Sequence, residues 1–119
     1  MRTIYLAGPM RGLPNFNKPA FMEAAEALRA KGYRVFNPVE ETIRIYGEGV
    51  YENNPAGNEG LTAIDPRKVF FNDVAFICLY ADAVVYLPGS QHSKGAFAEK
   101  AIAAALGIPV LAMSDIDVI

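Results

Sequence analysis

The amino-acid sequence predicts an α/β fold, with a doubly wound parallel sheet of about four to five strands in a single domain that spans residues 1–119. Short apolar segments alternate with longer segments of helical periodicity, which is typical of strands that alternate with helices. Parallel strands need crossover connections, and the helical segments supply them. A chain of 119 residues that is 52% hydrophobic and 20% charged also suits one packed core.

The first half of the chain predicts two strands on either side of one helix. Residues 3–6 form a short apolar strand, and the glycine- and proline-rich segment that follows predicts a loop as far as Asn17. Asn17 is a candidate N-cap for a helix that ends near Lys31, before strand two at residues 33–36. The apolar face of this helix consists of Phe21, Ala24, Ala25 and Leu28. Many turn-forming residues at 37–64 predict a long surface loop with room for one short helix.

The second half of the chain predicts two more helices and two more strands. Asp65 is a candidate N-cap, followed by proline in the first turn of a helix that ends near Tyr80. Strand three covers residues 83–87. A helix at residues 94–106 follows, and strand four at residues 110–113 closes the pattern.

Charge and composition exclude several classes of protein. The net charge is −2 and the basic residues are scattered, which argues against polymeric nucleic acid as a partner. No segment has the ~18 consecutive apolar residues of a membrane span, and the amino terminus does not resemble a signal peptide, so we expect a cytoplasmic protein without a membrane partner. Cys78 lies in an apolar run, which favours a buried thiol. This single cysteine and the single histidine, His92, are too few for a metal site, and no cofactor is implied.

The loops after strands one and three form the predicted ligand site, because ligands of doubly wound sheets bind beyond the carboxyl ends of the strands. Candidate binding residues in these loops and at the start of the last helix are Gly8, Pro9, Arg11, Gly89, Ser93 and Gly95. Ser93 at a helix start and the cationic Arg11 suit an anion such as phosphate. The alternatives are that Ser93 is only an N-cap and Arg11 only a surface residue.

Two acidic residues are candidates for catalysis. Glu99 shares a helical stripe with small or apolar residues, but a rival apolar stripe on the same helix leaves open which side is buried. The first stripe contains Gly95, Ile102, Ala103 and Leu106, and the rival contains Phe97, Ala101 and Ala104. Asp73 interrupts an apolar run, and its alternative is a polar position at the helix edge. Two carboxylates in one cleft suit cleavage of a glycosidic bond.

Three segments resemble the nucleoside 2-deoxyribosyltransferase superfamily. They are Tyr5-Leu6-Ala7-Gly8-Pro9, then Asp73, and then Ser93-Lys94-Gly95-Ala96-Phe97-Ala98-Glu99 with Ala103 and Gly107 after it. The match spans nearly the whole chain. It is similar in particular to a short bacterial and phage branch of that superfamily, which shares Leu87-Pro88-Gly89 and a following Ser-Lys-Gly-Ala-x-x-Glu.

The resemblance implies a flavodoxin-like fold and a covalent glycosyl-enzyme mechanism. Glu99 would attack the sugar at C1′, Asp73 would position the nucleoside and protonate the base, and Tyr5 would lie near the nucleophile. Ser93 and Arg11 match residues of the related 2′-deoxynucleoside 5′-phosphate N-hydrolases, in which a serine contacts phosphate. These residues therefore predict hydrolysis of a nucleoside 5′-monophosphate.

Two other functions stay open: base exchange between deoxynucleosides, and nucleotide binding without catalysis. The sequence departs from the relatives at residues 12–17 and 40–64, which leaves the base preference open. The resemblance also implies a homodimer or a higher homo-oligomer, and the apolar tail at residues 116–119 is a candidate part of its interface.

Overall fold

The computed structural model describes residues 2–51 and 64–118. Strands and α-helices alternate along these ranges, with one additional helix after the second strand. The elements are β1 Thr3–Ala7, α1 Lys18–Ala30, β2 Arg34–Phe36, α2 Pro38–Tyr46, α3 Pro66–Tyr80, β3 Ala83–Tyr86, α4 Lys94–Ala105 and β4 Val110–Ala112. Short 3-10 helical segments occur at Pro14–Asn17, Ser90–His92 and Met113–Val118. The predicted α/β class is confirmed.

The four described strands form one parallel sheet in the order β2-β1-β3-β4. Ile4 in β1 pairs with Val35 on one side and with Ala83 on the other. The chain passes from β1 outward to β2, returns over the sheet to β3, and continues to β4, so the strand order reverses between β1 and β3. This doubly wound arrangement agrees with a flavodoxin-like fold, in which ligands bind at the reversal point.

The central strand β1 sends alternate side chains to opposite faces of the sheet. Ile4 and Leu6 belong to a core cluster that includes residues of α1, whereas Tyr5 and Ala7 belong to a second cluster with residues of α3 and α4. All four side chains are buried, and full burial of an isoleucine or leucine side chain stabilises the fold by roughly 1.5–3 kcal/mol. The alternation therefore directs Tyr5 towards the layer formed by α3 and α4.

Side-chain caps begin three of the helices, at Asn37, Asp65 and Ser93. Each oxygen accepts a hydrogen bond from a backbone N–H group of the first turn, as the sequence predicts for two of these positions. Asn17 lies at the N-cap position of α1, as predicted, but its side chain makes no capping hydrogen bond. Asn17 has a left-handed backbone with φ of 62°, and its amide donates to the carbonyl oxygen of Pro9 at 2.9 Å.

The region predicted as a long loop contains α2, whose nine residues exceed two helical turns. The part of that loop prediction at residues 52–63 lies outside the described residues. Strands two and four keep their predicted positions, with ends that differ by one residue. Within the described ranges, no helix combines the length and the apolar character that a membrane crossing requires.

The prediction that the Cys78 thiol is buried is wrong. Cys78 is exposed on α3, because it lies one position past the buried Ile77 and is turned about 100° away from it. Ile116, predicted to contribute to an interface between copies, is buried in the same core cluster as Ile4 and Phe16. Ile116 is therefore not available to a partner surface. The side chains at residues 117–119 lie outside the described ones, so the role of the rest of the tail stays a prediction.

Candidate functional site

A cavity of about 240 Å³ opens beyond the carboxyl end of β1. Its wall includes Tyr5 from β1 and Gly8 and Arg11 from the loop after that strand. Asp73 from α3 and Glu99 from α4 complete the side that faces the sheet. The cavity thus lies next to the reversal point of the strand order, where the fold predicts a ligand.

Two carboxyl groups are buried in this cavity. Asp73 and Glu99 each expose only 7% of their surface, which is rare for acidic residues. The hydroxyl group of Tyr5 donates a hydrogen bond of 2.5 Å to Oε2 of Glu99, and it also interacts with Asp73. A phenol has one proton, so it can donate to only one of the two carboxylates at a time.

The position of Glu99 follows from the pattern of α4. Ala96, Glu99 and Ala103 are the buried residues of this helix, at spacings of three and four residues. The small alanine side chains let the helix approach the sheet closely and leave room for the carboxylate. The side of α4 that carries Glu99 faces inward, and the rival stripe with Phe97 faces outward. Of the residues predicted to share the stripe of Glu99, Ala103 is buried and Ile102 is half-buried, whereas Gly95 and Leu106 are exposed.

Aromatic packing fixes the ring of Tyr5. Phe36 from β2 stacks on Tyr5 with ring centroids 5.4 Å apart, and Phe76 from α3 stacks on Phe36 at 4.2 Å. A ring held between neighbours in this way has little freedom to turn, so its hydroxyl keeps one direction. Sequence reasoning missed Phe36 and Phe76, because residues from three separate elements meet only in the folded chain.

Burial raises the pKa values of both carboxyl groups. The pKa of Asp73 rises from 3.8 to about 7, mainly by burial, against the opposing effect of the hydrogen bond from Tyr5. The pKa of Glu99 rises from 4.5 to about 8, again mainly by burial, with the same opposing hydrogen bond and a further increase from the charge of Asp73. Burial and both carboxylates raise the pKa of Tyr5 well above its ordinary value, so its phenol stays protonated. At a pH between the two carboxyl pKa values, the pair holds one proton and one negative charge.

The outer walls of the cavity are apolar and include several aromatic rings. They consist of Met10, Phe16, Phe21, Tyr51, Val69 and Phe70. The rings of Phe16 and Tyr51 lie 5.3 Å apart. Sequence reasoning did not assign Phe16 to the site, although an aromatic residue between Asn15 and Asn17, in a segment of turn formers, is a signal that could have found it. Asn15, Phe16 and Asn17 all have positive φ angles, and these angles turn the segment back over the cavity.

The end of the cavity near the start of α4 suits an anion. Ser93 lines the cavity, and its Oγ accepts a hydrogen bond of 3.2 Å from the backbone N–H group of Ala96. Ser93 is therefore an N-cap, and its hydroxyl hydrogen can also donate to a ligand, since a hydroxyl group can do both. The exposed Arg11 lies at the same end, with the positive end of the helix dipole of α4.

Two glycines hold the loops after β1 and β3 close together. A Cβ atom on Gly8 would lie 3.0 Å from Cβ of Leu87, so no larger residue fits without a shift. Gly89 has φ of 85°, and a Cβ atom there would lie 3.4 Å from Pro9. The packing of the two loops explains these glycines without a ligand.

Gly95 differs from these two glycines. It lies in the first turn of α4 and lines the cavity, and a Cβ atom there would meet no other atom within 4 Å. The packing of the protein itself therefore does not require glycine at this position. A ligand that approaches the first turn of α4 closely would require it.

Most of the predicted site residues meet in this cavity. Those that line it are Tyr5, Gly8, Arg11, Asp73, Ser93, Gly95 and Glu99. Pro9 and Gly89 line a neighbouring hollow instead, which shares Arg11, Ser93 and Gly95 with the cavity. Among the residues at 2–51 and 64–118, no group of three or more His, Cys, Asp or Glu side chains could hold a metal ion.

Comparison with known protein families finds a match that covers most of the chain. Residues 2–112 match the family described as Domain of unknown function (DUF4406), and this segment contains the whole cavity. No curated protein and no solved structure matches the chain. The match covers far more than half of the 119 residues. The chain therefore belongs to the family of the Domain of unknown function (DUF4406).

Proposed function

We propose that this protein hydrolyses the N-glycosidic bond of a (deoxy)nucleoside 5′-monophosphate through a covalent glycosyl-enzyme intermediate on Glu99. The observation that carries the proposal is the pair of buried carboxyl groups, Asp73 and Glu99, in one cavity with the hydroxyl of Tyr5 on Glu99. Buried carboxyl groups destabilise a fold, and titratable groups with strongly shifted pKa values are concentrated at functional sites. The resemblance of residues 93–99 to the nucleoside 2-deoxyribosyltransferase superfamily supports the same chemistry.

The first step transfers the sugar to the protein. An oxygen of the Glu99 carboxylate forms a bond to C1′ while the bond from C1′ to the base nitrogen breaks. The leaving base takes its electron pair and a proton from the carboxyl group of Asp73. Asp73 is then ionised, and Glu99 is an ester of the sugar.

The second step returns the protein to its starting state. A water molecule gives a proton to Asp73 and attacks C1′, which breaks the ester bond to Glu99. The products are the free base and the sugar phosphate. Each carboxyl group ends in the protonation state in which it began.

The mechanism uses the form of the pair in which the proton is on Asp73. Because the pKa of Glu99 is raised to about 8 and that of Asp73 to about 7, the proton of the resting pair lies mainly on Glu99, so it must pass to Asp73 before the attack. Glu99 must be ionised to attack, and Asp73 must be protonated to act as the acid. The hydrogen bond from Tyr5 favours the ionised form of Glu99. The positive charge that develops at C1′ in the transition state favours this form further, because it lies next to the carboxylate.

The rest of the cavity suits the other parts of a nucleotide. The apolar, aromatic walls with Phe16 and Tyr51 suit a flat base, and Arg11, Ser93 and the open space at Gly95 suit a phosphate. The proposed enzyme acts on free nucleotides in the cytoplasm, as a homo-oligomer.

Chromatographic detection of free base tests the proposal. The purified protein is incubated with a panel of ribo- and deoxynucleoside 5′-monophosphates and with the corresponding nucleosides, beside the variant Glu99→Gln. We expect release of base by the wild type and loss of release in the variant, which keeps the shape of the side chain but cannot attack. Glu23→Gln on α1, an exposed position, is the matched control and should keep full activity.

The same assay separates the proposed reaction from its two rivals. A second free base is added as acceptor: hydrolysis yields sugar phosphate, whereas base exchange yields a new nucleoside. Calorimetry measures whether wild type and Glu99→Gln bind a nucleotide. If both bind it equally and neither releases base, the protein is a nucleotide-binding module and the catalytic proposal is refuted.

A further inference from the structure

A second hollow adjoins the end of the cavity near the start of α4. It has a volume of about 710 Å³ and lies between the loop after β1, the loop after β3 and the first turn of α4. Arg11, Ser93 and Gly95 line both the hollow and the cavity. The hollow therefore begins where the phosphate of a bound nucleotide is proposed to lie, and its space is available to a longer substituent at the 5′ position.

The ionisable side chains of this hollow are all basic. Arg11, His92 and Lys94 line it, and none of its lining residues is acidic, although the net charge of the chain is −2. All three side chains are exposed, and none has an ion-pair partner within residues 2–51 and 64–118. By contrast, Arg29 and Arg44 are each paired with a glutamate. Unpaired basic groups around one concave surface attract an anion. We call this space the basic hollow.

The main chain adds hydrogen-bond donors to the basic hollow. Lys94 and Gly95 are the first two residues of α4, so their N–H groups have no acceptor within the helix. Gly95 has no side chain that could cover these groups, and both residues line the basic hollow. Backbone N–H groups and cationic side chains are the two kinds of donor that bind phosphate groups in proteins.

The other walls of the basic hollow favour phosphate groups over a second base. Its described lining contains prolines, glycines and Leu13, but no Phe, Tyr or Trp. A base commonly stacks on an aromatic side chain. The cavity has such side chains in Phe16 and Tyr51, so the cavity suits the base and the basic hollow suits further phosphates.

We propose that the basic hollow binds the second and third phosphates of a nucleoside 5′-triphosphate, so that nucleoside triphosphates are substrates of this protein. The inference rests on the proposed function for the positions of the base, the sugar and the first phosphate. The reaction at C1′ is the same as for a monophosphate: the base leaves with a proton, water supplies the hydroxyl group, and the sugar keeps its three phosphates.

Calorimetry in a buffer without divalent metal ions tests the binding of the additional phosphates. The ligands are the 5′-mono-, di- and triphosphates of the common deoxynucleosides, and Glu99→Gln is the parent protein, so that no ligand is consumed. We expect tighter binding with each added phosphate. Lys94→Gln and His92→Gln, introduced separately, should each weaken binding of the triphosphate roughly fivefold and change binding of the monophosphate less than about twofold. Lys31→Gln is the matched control, since this exposed lysine follows α1, does not line the basic hollow and should not alter binding.

Inorganic tripolyphosphate tests the basic hollow without a base or a sugar. It should bind the wild type more tightly than inorganic phosphate does, and Lys94→Gln should weaken its binding. His92 is the only histidine of the chain, so the ¹H NMR signals of its imidazole ring report on this place alone. Tripolyphosphate and the nucleoside triphosphates should shift these signals, whereas the monophosphates should leave them close to their positions in the free protein.

Equal affinity of the parent protein for mono- and triphosphates would overturn the inference. Equal weakening of both ligands by Lys94→Gln, or His92 signals that do not respond to triphosphate, would also overturn it. None of these measurements uses the release of base. Release of base from monophosphates without any gain in affinity from added phosphates would refute this inference alone, whereas tight, Lys94-dependent binding of triphosphate without release of base would support it and refute the catalytic proposal.

Discussion

Replacement of Glu99 by glutamine should stabilise the fold at alkaline pH and leave it unchanged at acidic pH. The pKa of Glu99 is raised from 4.5 to about 8 in the folded chain, mainly by burial. Between these two values the folded state binds more protons than the unfolded state, so the free energy of unfolding falls as the pH rises. Glutamine keeps the shape of the protonated side chain and does not titrate.

The magnitude follows from the two pKa values. At about 1.4 kcal/mol per pK unit, the rise to about 8 means that Glu99 destabilises the wild type by about 4 kcal/mol at pH 8. The variant lacks this effect. With a urea dependence of ~1–3 kcal/mol per molar, its unfolding midpoint at pH 8 should lie roughly 2 M above that of the wild type.

Urea unfolding, followed by circular dichroism at equal protein concentrations, measures this difference at about pH 4, below both pKa values, and at about pH 8. Glu23→Gln, at an exposed position on α1, is the control and should match the wild type at both values. If Glu99→Gln and wild type differ by the same amount at both pH values, Glu99 does not titrate with a raised pKa. The interpretation of the site as a buried carboxyl pair would then be wrong.

Three further predictions concern single side chains of the cavity. Tyr5→Phe keeps the stacked ring but removes the hydrogen bond to Glu99. The pKa of Glu99, measured by ¹³C NMR titration, should therefore rise by about one further unit. An unchanged pKa would contradict the role of the Tyr5 hydroxyl. Asp73→Asn removes a negative charge that raises the pKa of Glu99, so the same titration should give a lower pKa for Glu99 in this variant. An unchanged pKa would mean that the two groups do not interact. The alanine side chain of Gly95→Ala fits the open space, so this variant should have a free energy of unfolding larger by roughly 0.5 kcal/mol and a slightly higher melting temperature. Calorimetry should show that the variant binds a nucleoside 5′-monophosphate more weakly. Unaltered affinity would mean that Gly95 is not part of the phosphate site.

Local patterns in the sequence predict the elements of this fold well. The apolar run at residues 3–6 and the caps at Asp65 and Ser93 are local signals, and the structure confirms them. Asn17 lies at the predicted N-cap position, but residues with positive φ turn its amide towards Pro9, so its side chain does not cap the helix. Local sequence does not show which distant carbonyl oxygen competes for a side chain.

The inner and outer sides of α3 and α4 could not be distinguished by periodicity, because both sides are apolar. For the same reason Cys78 was predicted to be buried and is exposed. The resemblance to known enzymes brought Tyr5, Asp73 and Glu99 together, and the structure places all three in one cavity. Their shared proton and raised pKa values could not be predicted, because they depend on the depth of burial of each group.

The position of β1 between β2 and β3 has a consequence for the kinetics of folding. The contacts within the β1–α1–β2 segment join residues that are close in sequence, so this segment can form early. The pairing of Ile4 with Ala83, in contrast, must close a loop that contains most of the chain. Tyr5 and Glu99 are 94 residues apart and meet only after that pairing. We therefore expect helix formation to precede the assembly of the cavity during refolding, so that a chain interrupted after β2 is helical and has no site. On a ribosome, the cavity must wait until α4 has emerged.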